Sequence, residues 1–281
     1  MSNENEIIIG KKYKLLTQIG EGSFGKIFKA ENIQTSCLVA IKIEKKTNSS
    51  LLKHEANIYY KCKNIKGIPS IRMFGTEEQY NYIVMDLLGI SIDKMREIQS
   101  GKFTLKETII ISLQLISCLE SLHNIGIIHR DIKPENILTN GDINKIQLID
   151  FGLSKYYIDQ ERNHLPINTN KKFIGNIRFA SINIHNGIEP SRRDDLISLG
   201  YIFIMCLKGI LPWQNVDSLN KEDKYNKIKI IKCNISLVDL CSDIPYEFLS
   251  YMSYCYSLKY EDEPKYSYLK NLFLNIYSII K

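Results

Sequence analysis

The sequence predicts an α+β protein of two joined lobes, a small, mainly β lobe over residues 1–87 and a larger, mainly α lobe over residues 88–281. Three observations point there. A chain of 281 residues exceeds what one hydrophobic core usually serves. Between Tyr13 and Leu87, short runs rich in β-branched and aromatic residues alternate with turn signals. From Ser91 onward the apolar residues recur at helical steps.

Tyr13 to Ile19 is the first strand expected and Ile27 to Ala30 the second, joined by the turn Gly20-Glu21-Gly22-Ser23-Phe24-Gly25. Leu38 to Lys42 follows as another β-rich run. Leu51, Leu52, Ile58 and Tyr59 fall at helical spacing, so Leu51 to Lys61 is expected as a helix. Gly67-Ile68-Pro69 breaks the chain before strands Ile71 to Phe74 and Asn81 to Leu87. Ile92, Met95 and Ile98 then mark a short helix. Ile109, Leu113, Ile116 and Leu119 mark a long one from Leu105 to His123, the spine of the larger lobe. Asp131 to Asn136 reads as a rigid loop, because Pro134 fixes its own φ and turns Lys133 away from the helical region. Ile137-Leu138, the turn Thr139 to Asp142 and the run Ile146 to Ile149 read as a short hairpin that delivers Asp150 next to that loop. Gly152 to Ala180 is loop-like. Leu196 to Leu207, the longest uncharged run at twelve residues, suits a buried helix better than a membrane span.

Bulk properties exclude several classes. Hydrophobic content of 44% with 24% charged residues is ordinary for a globular chain and argues against disorder. The seven cysteines are scattered with no CxxC pair, so reduced core residues are expected in place of a disulfide or zinc framework. The start MSNENEIIIG lacks the basic and long apolar regions of a signal peptide, so a soluble, cytoplasmic or nuclear protein is expected. The net charge of +6 is modest and spread out, where nucleic-acid binding would concentrate it on one face beside stacking aromatics.

The stretch from His129 to Gly152, HRDIKPENILTNGDINKIQLIDFG, concentrates the chemistry. Its polar residues Asp131, Lys133, Asn136 and Asp150 each stand beside apolar residues suited to a packed frame. Phosphoryl transfer to a hydroxyl asks for such a set, since the protein mainly has to place a divalent metal, the triphosphate and the acceptor oxygen in line. An Asp with an Asn suits a hard cation. A second Asp, kept off the metal, can orient the acceptor hydroxyl and take its proton. The Gly20 to Gly25 turn lets backbone N–H groups approach phosphates without a Cβ in the way. It does not open a helix, which counts against a dinucleotide-binding fold.

These residues match the protein-kinase motifs H-R-D-x-x-x-x-N and D-F-G, in order and with their key residues Asn136 and Asp150 fourteen positions apart. Lys42 stands in a V-A-I-K seventeen residues after Gly25, where an edge-protecting lysine would be the ordinary reading. The chain resembles protein kinases, which implies the bilobal kinase fold with ATP and Mg²⁺ as cofactors. By that resemblance Asp131 is the base, with Lys133, Lys42 and Glu55 completing the catalytic set, and Asn136 and Asp150 bind the metal. It places the nucleotide against Ile19, Gly20, Gly22, Ser23, Gly25, Ile27, Ala40, Lys42, Met85, Leu138 and Ile149, with adenine bonded to the backbone of Asp86 and Leu88. His123 is expected as a helix-end histidine, His129 as a packed frame residue and Asp195 as a buried acceptor for the catalytic loop's backbone. A phosphorylatable residue often pairs with the H-R-D arginine, here Arg130. Only Ser154 and Thr169 are candidates for it.

Beyond Ala180 the match narrows. Ser181-Ile182-Asn183 replaces the usual A-P-E, and GIEPSRRDDL, Leu211-Pro212-Trp213-Gln214, GIPSIR, VMDLLG and PKYSYL complete a pattern similar to the casein kinase 1 family over nearly the whole chain. Ile197, Ile174 to Ile177 and Asn215 depart from that pattern. The resemblance implies a monomer acting on Ser or Thr in protein substrates with acidic or phosphorylated residues upstream. It implies an anion site at Arg178, Lys224 and Asn215, and a second at Arg130, Lys155 and Lys171 that keeps the loop ordered without phosphorylation. A pseudokinase scaffold would have lost Lys42, Asp131, Asn136 or Asp150, and none is lost. A tau-tubulin or vaccinia-related kinase is the nearest alternative, disfavoured by the intact S-I-N and GIE segments. Lys281 lies close to where the fold should close, so no long regulatory tail is expected.

Overall fold

Strands β1 (Ile8–Ile9), β2 (Tyr13–Gly22), β3 (Gly25–Asn32) and β4 (Leu38–Lys45) lead into helix α1 (Leu51–Lys61) and strands β5 (Ile71–Thr76) and β6 (Tyr80–Asp86) in the computed structural model, which describes residues 6–22, 25–47 and 50–280. The strands form one antiparallel sheet in the order β1-β2-β3-β4-β6-β5. Ser23, one of the expected nucleotide contacts, lies outside the described residues.

Period-two alternation sorts this sheet into two faces. Tyr13, Ala30, Val39, Ile41, Tyr82 and Val84 make a buried cluster on one of them. The cross-strand partners Ile27 and Lys42, and Ala40 and Met85, fall on the other. Gly25 has a structural reason as well as a chemical one. Its φ is +151°, and a Cβ there would come within 2.3 Å of the Ile43 carbonyl oxygen. α1 starts at the expected residue because the Ser50 side chain accepts from the Lys53 N–H and caps it. Leu52 and Ala56 of α1 then pack on Ile83 of the sheet.

The first compact unit runs through Gly89 and takes back Ile149–Gly152; the second comprises Ile90–Leu148 and the chain from Leu153 onward. The short segment belongs with the sheet because Lys42 Nζ bonds Asp150, the Asp150 N–H donates to Tyr59 Oη, and Phe151 packs edge-on to Tyr59 at 4.9 Å.

The second unit is helical: α2 (Ile92–Ile98), α3 (Leu105–Asn124), α4 (Ile182–His185), α5 (Arg192–Lys208), α6 (Lys221–Asn234), α7 (Leu237–Leu240), α8 (Tyr246–Ser257) and α9 (Tyr266–Ile279). Short strands β7 (Ile127–Ile128), β8 (Ile137–Thr139), β9 (Ile146–Leu148) and β10 (Lys155–Tyr156) pair as the expected hairpin β8–β9 and as β7–β10. α3 opens on a capping box between Thr104 and Glu107. α5 is buried from Asp194 to Cys206, which explains its near-continuous apolar sequence. Phe203 of α5, Tyr251 and Phe248 of α8 and Phe273 of α9 interlock as the aromatic core. All seven cysteines are free; Cys37 and Cys233 are exposed and the other five are buried. Among the described residues no helix is long and apolar enough to cross a membrane.

Candidate active site

In the first unit, β4 directs Lys42 away from the Val39–Ile41 face, where it is buried beside two carboxylates. Its Nζ stands 2.7 Å from Glu55 Oε2 and 2.9 Å from Asp150 Oδ1. Burial alone would lower the lysine's pKa, but Glu55 and Asp150 hold it above the usual lysine range. Glu55 is the more deeply buried partner. Burial pushes its carboxyl up to about 7 against the pull of Lys42. Asp150 has φ +67°, a conformation sparsely used by residues other than glycine. Ala40 is buried, Ile27, Met85 and Ile149 are half-buried, and Ile19 is exposed. Asp86 turns its carboxylate to Arg72 at 2.8 Å.

In the second unit, Asp195 of α5 holds the catalytic loop from beneath. It is 2% exposed and accepts from the backbone N–H of His129 at 2.7 Å and of Arg130 at 2.9 Å. Burial would raise its pKa, but His123 and the His129 amide keep the carboxyl below the usual range. His123, on the last turn of α3, is spent between Asp195 and Tyr266. Arg130 then turns through φ +69°, and Asp131 follows, 7% exposed. Lys133 Nζ lies 2.5 Å from Asp131 Oδ2. Asn136 donates from Nδ2 to the Asp131 carbonyl at 3.0 Å and to Asp131 Oδ2 at 3.2 Å, so its Oδ1 is the atom turned to other use. The rigid loop tightens into a 3-10 turn over Pro134–Asn136, for which the fixed φ of proline is suited.

A family model of the protein kinase domain matches residues 13–268. The chain belongs to the protein kinase domain family. Kinase domains transfer a phosphoryl group from ATP to protein substrates with a divalent cation, and each unit contains groups of the kind that chemistry uses. Asn136 Oδ1 in the second unit and the Asp150 carboxylate in the first are each oxygen donors of the kind a hard cation takes. Among the described residues no cluster of three or more His, Cys, Asp or Glu side chains is arranged to hold a metal.

The two expected anion sites are built differently from one another. Arg130, Lys155 and Lys171 do converge, but on a protein carboxylate: Glu189 lies 3.4, 3.1 and 3.2 Å from them. Burial would raise the Glu189 pKa, and Lys155 and Lys171 hold it below the usual range. Arg178 is paired with Glu135 of the catalytic turn. Lys224 and Asn215 are exposed, and neither side chain makes a hydrogen bond among the described residues. Ser154 is 2% exposed with Oγ directed at the His129 carbonyl, whereas Thr169 is exposed. Sequence reasoning missed Glu135, Glu189 and Tyr59 Oη. Glu189 sits inside the quoted GIEPSRRDD, but nothing in that segment points to its partners Arg130, Lys155 and Lys171.

Proposed function

We propose that this kinase domain is a serine/threonine kinase of the casein kinase 1 type, transferring the γ-phosphoryl of Mg-ATP to acidic or phosphate-primed protein substrates. The observation that carries the reading is the anchoring of Ser181-Ile182-Asn183. Ser181 Oγ and Asn183 Nδ2 both donate to Asp194 Oδ1 in the RRDD run, at 2.5 and 3.0 Å, while Ser181 caps α4. S-I-N therefore works as a unit with RRDD, where most kinases have A-P-E. Asp131 orients the acceptor hydroxyl and takes its proton, with Lys133 beside it balancing charge. Lys42, positioned by Glu55, grips the phosphates. Asn136 and Asp150 are the oxygen donors that would take Mg²⁺, which would supply charge neutralisation at the phosphate oxygens. The backbone of Asp86 and Leu88 meets adenine.

Arg178, with Lys224 and the Asn215 backbone, receives the substrate's upstream phosphate. A guanidinium grips phosphate through paired N–H groups, and a lysine adds a point charge. In an assay of Mg-ATP with primed, acidic and plain Ser/Thr peptides, the primed peptide is expected to win. Arg178→Ala with Lys224→Ala should cut that preference about ten- to a hundredfold. An unchanged preference in the double variant would place the anion site elsewhere.

The Glu189 cluster supports activity without loop phosphorylation. A carboxylate already neutralises the cations that a phosphoresidue would otherwise engage. Phosphatase treatment of the purified protein is expected to leave its turnover unchanged. Abolished activity would contradict this.

A further inference from the structure

Lys232 of α6 is 2% exposed and makes no ion pair among the described residues. Its Nζ donates to the Ala180 carbonyl at 2.7 Å and the Ile177 carbonyl at 3.0 Å, and lies 3.4 Å from His185 Nε2. The rings of Tyr201 and Trp213 stand at 5.0 Å each. A lysine head group without a counter-ion is costly in such surroundings, and an apolar residue would fill the same space. The amine is therefore explained by the two carbonyls it meets. Burial holds its pKa well below the ordinary lysine value, and burial together with Lys232 brings His185 down to about 3.

Both carbonyls belong to a segment that borders the catalytic loop. Gly175 has φ +86°, and a Cβ on it would come 2.5 Å from the Arg130 carbonyl oxygen and 3.7 Å from Asp131 Oδ1. Three residues on, Arg178 pairs with Glu135, and its carbonyl accepts from Trp213 Nε1 at 2.8 Å. At the segment's start, Phe173 packs on His185 and on Tyr225 of α6, each at 5.3 Å. The segment is thus fixed to α6 at both ends, and Lys232 supplies the polar fastening.

We propose that Lys232 is a positioning residue for the protein substrate, fixing Ile177 to Ala180 so that Gly175 and Arg178 stand where an acceptor peptide can be presented to Asp131. This rests on the phosphotransfer reading above. It acts through the segment and touches no reacting atom.

Lys232→Met removes the donors while keeping an unbranched apolar stem. The purified variant is expected to lose about tenfold or more in peptide kcat/KM, the scale of two lost hydrogen bonds to a buried amine. Its KM for ATP and its peptide-free ATP hydrolysis should stay within about twofold. Hydrogen exchange should quicken at amides 174–180 and not in α5. Lys232→Arg, which restores donors, should recover part of the peptide efficiency. Peptide and ATP parameters falling together, exchange rising throughout α5, unchanged peptide kinetics, Lys232→Arg behaving as Met, or failure of the Met variant to fold would each overturn the proposal. If the unaltered protein phosphorylates no peptide, the phosphotransfer reading fails; the exchange arm still decides whether Lys232 fixes the segment.

Discussion

Asp131→Asn is expected to lower turnover about 10²–10⁴-fold, the usual scale for loss of a general base, with little change in stability or nucleotide affinity. Asparagine has nearly the same shape and still offers an oxygen to the Asn136 amide, which donates to Asp131 Oδ2 at 3.2 Å. The Asp131 carbonyl keeps its own bond from Asn136 at 3.0 Å, so the turn retains its frame. What is lost is a group able to take a proton, together with the ion pair to Lys133 at 2.5 Å. Lys133 is 23% exposed at its side chain, so it re-solvates without the penalty of a buried stranded charge. The deficit should appear in kcat for peptide phosphorylation, with KM for ATP unmoved. A fall of less than about tenfold would remove Asp131 from the base role. The neighbouring buried carboxylate, Asp195, does not compete for that role, because its oxygens are occupied by His129, Arg130 and His123.

Local signals were read well where one short segment decides its own structure. α1 runs over Leu51–Lys61 as its spacing demands, and α3 over Leu105–Asn124, one residue past the expected end. Strands were expected too short, since β2 continues to Gly22 and β4 to Lys45 where register with β3 and with β6, respectively, holds the chain extended past its apolar stretch. β10 was invisible: Lys155 and Tyr156 carry no strand pattern and are held only by pairing with β7. The site divides the same way. Lys42, Glu55, Asp131, Lys133, Asn136 and Asp150 were named as expected site residues from their resemblance to ordered protein-kinase motifs. Glu189 with Lys155, Glu135 with Arg178 and Tyr59 Oη with the Asp150 amide join residues 34, 43 and 91 positions apart in sequence. No periodicity encodes such a partner. Lys232 is the sharpest case, because a lysine on a polar helix reads as solvated, and only the packing of α6 on the Ile177–Ala180 carbonyls shows otherwise.

Lys42→Met is expected to lose both stability and phosphate transfer, and Glu55→Gln added to it is expected to return the stability alone. Removing the lysine leaves Glu55, 1% exposed, without the cation at 2.7 Å that it was buried against. Stranding one partner of a buried pair typically costs about 3–5 kcal/mol. Protonation limits that cost here, since burial already pushes the Glu55 carboxyl up to about 7. The folded value lies above the unfolded one of about 4.3, so the variant binds a proton in the folded state that the unfolded chain releases. Its stability is therefore full below about pH 4.3 and is lost as pH rises through about 7 and beyond, further than in the unaltered protein because the lysine no longer lowers the carboxyl. Glutamine removes the ionisable group and with it this pH dependence. Denaturant unfolding of the single and double variants at mildly acidic and mildly alkaline pH measures the difference; equal midpoints in alkali would show that Glu55 is not the stranded charge. Neither variant should recover catalysis, because the ammonium's donors to the phosphates are gone from both, a loss of about 10²–10³ in turnover. Stability restored without activity would separate two duties expected of one side chain, neutralising a buried carboxylate in the fold and serving the phosphates in the reaction.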